Sequence, residues 1–261
     1  MNSVTHRIET IIQRSYQVWL RPLIKTELNR QRLKLLWFGW AYFSLLSIRT
    51  MPFVLRIMVL SRFMRIDWNI VHAHRPCEIV QVCRAISDRK AIPREIVVEA
   101  GCWNGGSSAK LSIICGIFGY RLWIFDSFQG VEAIYEDGYD FSGEYVAQVE
   151  KVKDNLGRYG CLDVCCLIKG WFRDTLAVSP IQEPVRVVFI DCDLAKGTRE
   201  VLQGVLPQLV ADGTIFTQDY HITSVRKYLE KPNTWSELGK PIPILLEHCG
   251  NLVSLHFPLD S

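Results

Sequence analysis

The stretch "IVVEAGCWNGGSSAKLS", residues 96–112, constrains the fold more than any other part of the chain. A β-branched run reaches the acid Glu99, Gly101, Gly105 and Gly106 follow within a few residues, and Ser107 and Ser108 open a helical pattern. Branched side chains suit a pleated, buried surface, and glycines permit a sharp reversal and the close approach of a ligand to the backbone. The segment predicts strand, tight turn and helix, with room for a ligand at the turn. Its spacing, G-x-x-x-G-G, departs from the dinucleotide fingerprint G-x-G-x-x-G, and the Lys–Ser/Thr pair of a phosphate-binding loop is missing. A turn that holds no ligand uses glycine in the same way.

The same rhythm continues along the chain. "CEIVQVCRAISDR" after Pro76 predicts a helix, "EIVVEAG" and "RLWIFDSF" two strands, and "SSAKLSIICGIFG" a helix closed by Gly119. A helix is expected over residues 144–160, and strands in "VCCLIKGWF", "VRVVFIDCD" and "TIFTQDYH". "KGTREVLQGVLPQLV" predicts a further helix, ended by a turn at "ADG". Strands alternating with helices make an α/β fold with a mostly parallel sheet covered on both faces. The tail "PIPILLEHCGNLVSLHF" reads instead as an antiparallel hairpin turning around Gly250 and Asn251. Parallel units closed by such a hairpin predict a Rossmann-like class I methyltransferase sheet over residues 76–261, preceded by a helical N-terminal extension over 1–75.

The candidate chemistry gathers at strand ends. Glu99 would repel a phosphate but accept hydrogen bonds from an ammonium or hydroxyls, which suits S-adenosylmethionine better than NAD. Asp126 ends the second strand 27 residues later, placed to take the ribose hydroxyls of an adenosine. Gly101, Gly105, Ser107 and Ser127 are assigned to the same donor, and Trp171 to stacking on its adenine or on a sugar. Asp191 and Asp193 end the fourth strand, and Gln218 and Asp219 the fifth. Ligands of open parallel sheets bind beyond these carboxyl ends, so the acids should face one crevice and could hold Mg²⁺. Such an ion would lower the pKa of an acceptor hydroxyl, and His221 could take its proton. Each residue also has an ordinary use, as helix cap, turn or core side chain. The long acidic loop Gln129–Gly143 reads as a lid over the donor or as a plain surface excursion.

"VVEAGCWNGGSSAKLS", "WIFDSFQGV", "KDNLGRYG", "KGWFRDTL", "FIDCDLAKGTREVLQGVLPQL" and "TQDYH" together resemble the macrocin O-methyltransferase family in order and spacing over about residues 76–225. The resemblance implies a class I fold, S-adenosylmethionine as donor, Mg²⁺, and methylation of a sugar hydroxyl on a small glycosylated product. It implies donor binding by Glu99, Gly101 and Asp126, and metal binding by Asp191 and Asp219. The family's two adjacent aspartates at the end of the fifth strand are Gln218 and Asp219 here; a neutral amide is a weaker ligand with one charge fewer. Lys196 offers a metal-free alternative, as a cation beside the developing alkoxide or as a base. An NAD(P)-dependent oxidoreductase is the rival on a similar sheet, and a non-catalytic membrane-associated module is a second.

Charge is divided unevenly. Residues 1–75 carry 12 Lys or Arg against 3 acids, the remainder 18 against 24. The basic part holds the most apolar run, Leu33 to Ile48, followed by "MPFVLRIMVLSRFM". Sixteen residues fall short of the roughly 20 that span a bilayer. A helical cap on the domain, a homo-oligomer contact, and peripheral membrane contact through residues 33–64 all fit this composition. Nucleic acid is not expected as a partner, because the arginines are interleaved with bulky aliphatics. The nine cysteines form no CxxC pair, which predicts reduced thiols. No secretory signal precedes the first apolar run, so a cytoplasmic enzyme is expected, with the inner face of a membrane as the alternative site.

Overall fold

The computed structural model describes residues 27–134, 141–178 and 181–258. Five strands run parallel: β1 (Ile96–Ala100), β2 (Arg121–Asp126), β3 (Cys165–Lys169), β4 (Val185–Ile190) and β5 (Leu209–Thr217). β6 (Ile244–Glu247) and β7 (Val253–His256) form the expected hairpin, with β7 antiparallel to β5. The sheet order is β3-β2-β1-β4-β5-β7-β6, the class I methyltransferase arrangement that the sequence predicts.

Alternation along the strands builds two cores. Val97, Leu122, Ile124, Val187 and Phe189 face one side, and Val98, Phe125, Val188, Ile190 and Ile215 the other. The first side is covered by α1 (Glu27–Phe38), α2 (Phe53–Asn69), α3 (Pro76–Ser87), α4 (Gly106–Phe118) and α5 (Val149–Tyr159). The second carries α6 (Phe172–Thr175), α7 (Ala195–Val205), α8 (Thr223–Glu230) and α9 (Pro232–Glu237).

Three sequence expectations need correction. The helix expected from residue 144 starts at Val149: the Glu144 carbonyl accepts the Val131 amide, and Tyr145 takes a φ of 61°, outside helical range. The "ADG" turn lies within β5, where the register against β4 slips between Val185 and Val187. Asp212 in that slip is fixed by Arg89 at 3.1 Å and Arg186 at 3.3 Å, so an ion-paired irregularity replaces a free turn. The cysteines are not all free: Cys77 and Cys249 are joined, 172 residues apart. Their pairing depends on the β6–β7 turn docking against α3, which local spacing cannot reveal.

The basic segment packs into the first core. Tyr42, Leu45, Phe63 and Ile66 are buried with Ile79, Val82 and Ile114. No helix among the described residues is long and apolar enough to cross a membrane. A buried polar knot fastens this segment to α4. Lys110, fully buried, pairs with Asp67, whose carboxylate also accepts the Tyr42 hydroxyl at 2.6 Å and meets His72 Nε2 at 2.7 Å. The ammonium lies 2.6 Å from His74 Nε2, and the two imidazoles stack at 3.9 Å. Burial by itself would raise the Asp67 pKa, but Lys110 and His72 override it and hold the carboxyl well below its ordinary range. Burial lowers the pKa of Lys110 and of His74.

Removing one member of a buried pair strands the other charge. Lys110→Met should cost about 3–5 kcal/mol in denaturant unfolding, and Asp67→Asn in the same background should recover much of it. Additive losses would contradict the pairing.

Candidate functional site

The ladder of the sheet continues past the strand ends and fixes the site's rim. Gly101 donates to the Phe125 carbonyl at 2.9 Å, Asp191 to Ala100 at 2.9 Å, Gln218 to Ile190 at 3.0 Å, and Gly170 to Asp126 at 3.0 Å. Four loops therefore leave the carboxyl edge in fixed positions around a cavity of ≈ 260 Å³. Gly101 has a φ of 88°, and a Cβ there would lie 1.8 Å from the Asp191 carbonyl oxygen. Only glycine lets β1 and β4 converge this closely.

Of the residues singled out in the sequence, Gly101, Ser107, Asp126, Ser127, Trp171, Asp191, Gln218, Asp219 and His221 line this cavity. Three others stand behind it. Gly105 caps α4 in a left-handed conformation, facing Val152. Lys196 Nζ is held 2.9 Å from Glu132. Glu99 is fully buried on the same side of β1 as Val97, and neither carboxylate oxygen has a hydrogen-bond partner. Burial raises its pKa to about 7; the nearby Ser107 and Ser108 hydroxyls oppose the rise and Asp126 adds to it.

Asp126 organises the glycine turn. Its Oδ2 accepts the amides of Cys102 at 2.7 Å and Trp103 at 3.1 Å, and Oδ1 accepts that of Phe128 at 2.6 Å. Oδ2 is thereby saturated, and Oδ1 keeps one lone pair for a hydroxyl from the cavity. Trp171 lies under the Arg173 guanidinium, 5.2 Å from its ring centroid. The described stems of the acidic loop close on each other between Val131 and Ser142 and contribute Gly130, Glu132 and Phe141 to the wall; residues 135–140 of the expected lid lie outside the described residues.

Asp191, Asp193 and Asp219 share another part of the wall. Strand geometry ends at Ile190 and Asp193 has a φ of 63°, so alternation does not decide where its side chain goes; both it and Asp191 nonetheless reach the cavity. Burial first, then mutual repulsion, raises the pKa of Asp191 and Asp193. Burial also raises that of Asp219, against the Cys192 and Asp193 amides that its Oδ2 accepts at 2.8 and 3.0 Å. Gln218 Oε1 is buried without a partner. An orphaned amide oxygen with three carboxylates on the same wall, Asp219 buried and Asp191 and Asp193 half-buried, has the oxygen chemistry of a hard divalent cation's ligands, although the three carboxylates do not lie within 4.8 Å of one another. His221 Nδ1 lies 3.1 Å from the Gln218 carbonyl, and the residue is exposed at the rim.

Sequence reasoning missed a third part of the wall. His72, His74 and Asn251 line the same cavity. Glu78, fully buried, accepts the Arg75 amide at 2.6 Å and the Asn251 amide at 2.8 Å, so one carboxylate holds α3's start against the hairpin turn beside the Cys77–Cys249 link. The available signals were His-x-His before a proline, and a lysine within the otherwise apolar "AKLSIICGIF". Among the described residues, the His, Cys, Asp and Glu side chains whose donor atoms all lie within 4.8 Å of one another are Asp67, His72 and His74, but the Lys110 ammonium already supplies a cation there.

Comparison with known proteins agrees with this geometry. The family model described as "Macrocin-O-methyltransferase (TylF)" matches residues 67–247. The chain is 29% identical over 177 residues to a Streptomyces olivaceus tetracenomycin rhamnosyl 4'-O-methyltransferase, covering 61% of this chain and 67% of the relative. It is 31% identical over 163 residues to the mycinamicin III 3''-O-methyltransferase of Micromonospora griseorubida, covering 57% and 63%. It is also 31% identical over 137 residues to the demethyldecarbamoylnovobiocin O-methyltransferase of Streptomyces niveus, spanning 48% of this chain and about half, 52%, of that relative. The fold is similar to that of the O-methyltransferase NovP (TM-score 0.59, 22% identity, 72% and 83% covered) and of the calicheamicin methyltransferase CalS11 (0.55, 16%, 84% and 91%).

Glu99 gives a pH test of the buried rim. A folded-state pKa raised from 4.5 to about 7 means stability is fully present below 4.5 and is lost as pH rises through about 7. Unfolding of wild type and Glu99→Gln at pH 8 and pH 4.5 should show the variant's relative stability higher at pH 8, by about 3 kcal/mol. The fixed cost of burying an amide cancels in that difference. An equal gap at both pH values would contradict a raised Glu99.

Proposed function

The chain belongs to the macrocin-O-methyltransferase family, and on that premise we propose that it methylates a sugar hydroxyl of a small glycosylated acceptor with S-adenosylmethionine as donor. The observation that carries this reading is one cavity lined both by an Asp126-braced glycine turn and by three mutually repelling carboxylates. The curated relatives named above, which modify rhamnosyl-tetracenomycin, novobiocin and mycinamicin precursors, supply the acceptor class.

S-adenosylmethionine supplies an electrophilic methyl group, transferred by direct displacement to an oxygen. The work left to the chain is binding, orientation and exclusion of water. Asp126 would accept a ribose hydroxyl with the Oδ1 lone pair left over from bracing the turn. Gly101 lets the turn leave β1 hard against β4, where it would face the donor, and Ser107 and Ser127 add hydroxyls to the wall. Trp171 offers a flat face, and Phe141 and Tyr145 close the loop side. Glu99, beneath the turn, holds a negative or shared-proton site under the donor's ammonium end.

Asp191, Asp219 and Gln218 would hold Mg²⁺, which when bound lowers the acceptor hydroxyl's pKa and relieves the repulsion among the acids. Asp193, with its pKa raised, can take the hydroxyl proton, and exposed His221 can pass it to solvent. Lys196, held by Glu132, would act on the acceptor only through that pair.

The test is turnover. The folded protein, given S-adenosylmethionine, Mg²⁺ and a panel of glycosides, should release S-adenosylhomocysteine only with an acceptor bearing the right sugar hydroxyl. The corresponding deoxy-sugar should be inert, and chelation or Asp219→Ala should slow turnover about tenfold or more. Turnover of a sugar-free phenol or amine with every glycoside inert would sink the acceptor class, and full activity after chelation would sink the metal.

A further inference from the structure

We propose that the outer face of α2, with the segment before it, docks on an anionic lipid bilayer. The inference stands apart from the methyl-transfer reading, because it uses none of the cavity's residues. A surface helix ordinarily buries one apolar stripe and turns polar side chains outward. In α2 the inner stripe is Val59, Phe63 and Ile66, yet the outer face carries Phe53, Val54, Ile57, Met58, Met64 and Trp68, all exposed. Val54, at 67% exposed, and Met58, at 54%, stand one helical turn apart in its N-terminal half. Leu36, Trp40 and Phe43 extend the same exposure, so nine of the sixteen exposed large apolar side chains among the described residues fall between Leu36 and Trp68. That concentration marks a contact surface rather than scattered exposure.

Charge decides what the surface meets. Residues 31–70 contain Arg32, Lys34, Arg49, Arg56, Arg62 and Arg65 and one acid, Asp67. Asp67 is buried with Lys110, so it neutralises nothing outside. Among the described residues, none of these arginines lies within ion-pair distance of a carboxylate: Arg62 donates to the Tyr159 and Gly160 carbonyls, Arg65 sits over the Tyr159 ring, and Arg32 covers Trp68. A second copy on a two-fold axis would set this cationic, acid-free face against itself. An anionic bilayer answers both halves of the chemistry: its headgroups attract the arginines, and its interface takes up Trp, Phe and Met side chains. α2 leads directly into His72 and His74 of the cavity wall, so docking there would bring the site close to the membrane plane.

Flotation of the full chain with vesicles tests this. Wild type should float with phosphatidylcholine–phosphatidylglycerol vesicles, stay behind with phosphatidylcholine alone, and be released by high salt. Val54→Glu with Met58→Glu, both exposed, should keep the circular dichroism and melting temperature and reduce flotation about tenfold or more. Three results would overturn the proposal. One is wild type remaining soluble with both vesicles, or floating equally with both. Another is flotation unchanged in the double variant, which would move binding to another segment such as residues 1–26. The third is a wild-type dimer in sedimentation equilibrium that the double variant dissociates, which would assign the face to a second copy.

Discussion

The approach of β1 to β4 at Gly101 governs the rest of the molecule. With its φ of 88° and no side chain, Gly101 lies against the Asp191 carbonyl just past the last paired residues, Ala100 and Ile190. That convergence sets the end of β1, from which the glycine turn leaves, and the end of β4, from which the acids leave. Asp126 then holds the turn through two backbone amides, and Asp219 holds the β4 loop through two more. Asp126 and Asp219, which accept main-chain hydrogens at strand ends, thus do the structural work and still line the cavity. Burial raises the pKa at Asp191, Asp193 and Asp219, and like-charge repulsion adds to it at the first two.

The basic N-terminal segment is joined to this frame by charge as well as by packing. Lys110 sits in α4, the helix that the glycine turn launches, and pairs with Asp67 at the end of α2. One buried ion pair therefore couples the glycine turn, the His72–His74 wall and the apolar face outside. Glu78 and the Cys77–Cys249 link do the same for the C-terminal hairpin, carrying Asn251 to the cavity. Segments far apart in the chain complete a site whose centre lies on the sheet.

Much of the sheet was legible because it rests on local signals. β-branched runs marked β1 and β4, an apolar aromatic run marked β2, Gly119 marked the end of α4, and Gly250 and Asn251 marked the hairpin turn. Acids at strand ends were legible because parallel topology places all carboxyl ends on one edge. What stayed hidden depends on long-range meetings. Asp212 was read as a turn because its partners Arg89 and Arg186 are remote in sequence. Nothing local to the expected helix shows that Lys110 is the cation of a buried knot, because its partner Asp67 lies in another element. The pairing of Cys77 with Cys249 follows from hairpin docking, and no spacing rule reaches across 172 residues.

The proposed function makes the cavity at the carboxyl edge an adenosine-sulfonium site rather than a dinucleotide one. Calorimetric titration of the purified chain with S-adenosylhomocysteine, and separately with NAD⁺, tests it directly. Saturable one-to-one binding of S-adenosylhomocysteine that weakens at least tenfold in Asp126→Ala, with no heat from NAD⁺, is the predicted result. Binding of NAD⁺ in preference, or no binding of S-adenosylhomocysteine to a sample whose melting curve shows it folded, would contradict it.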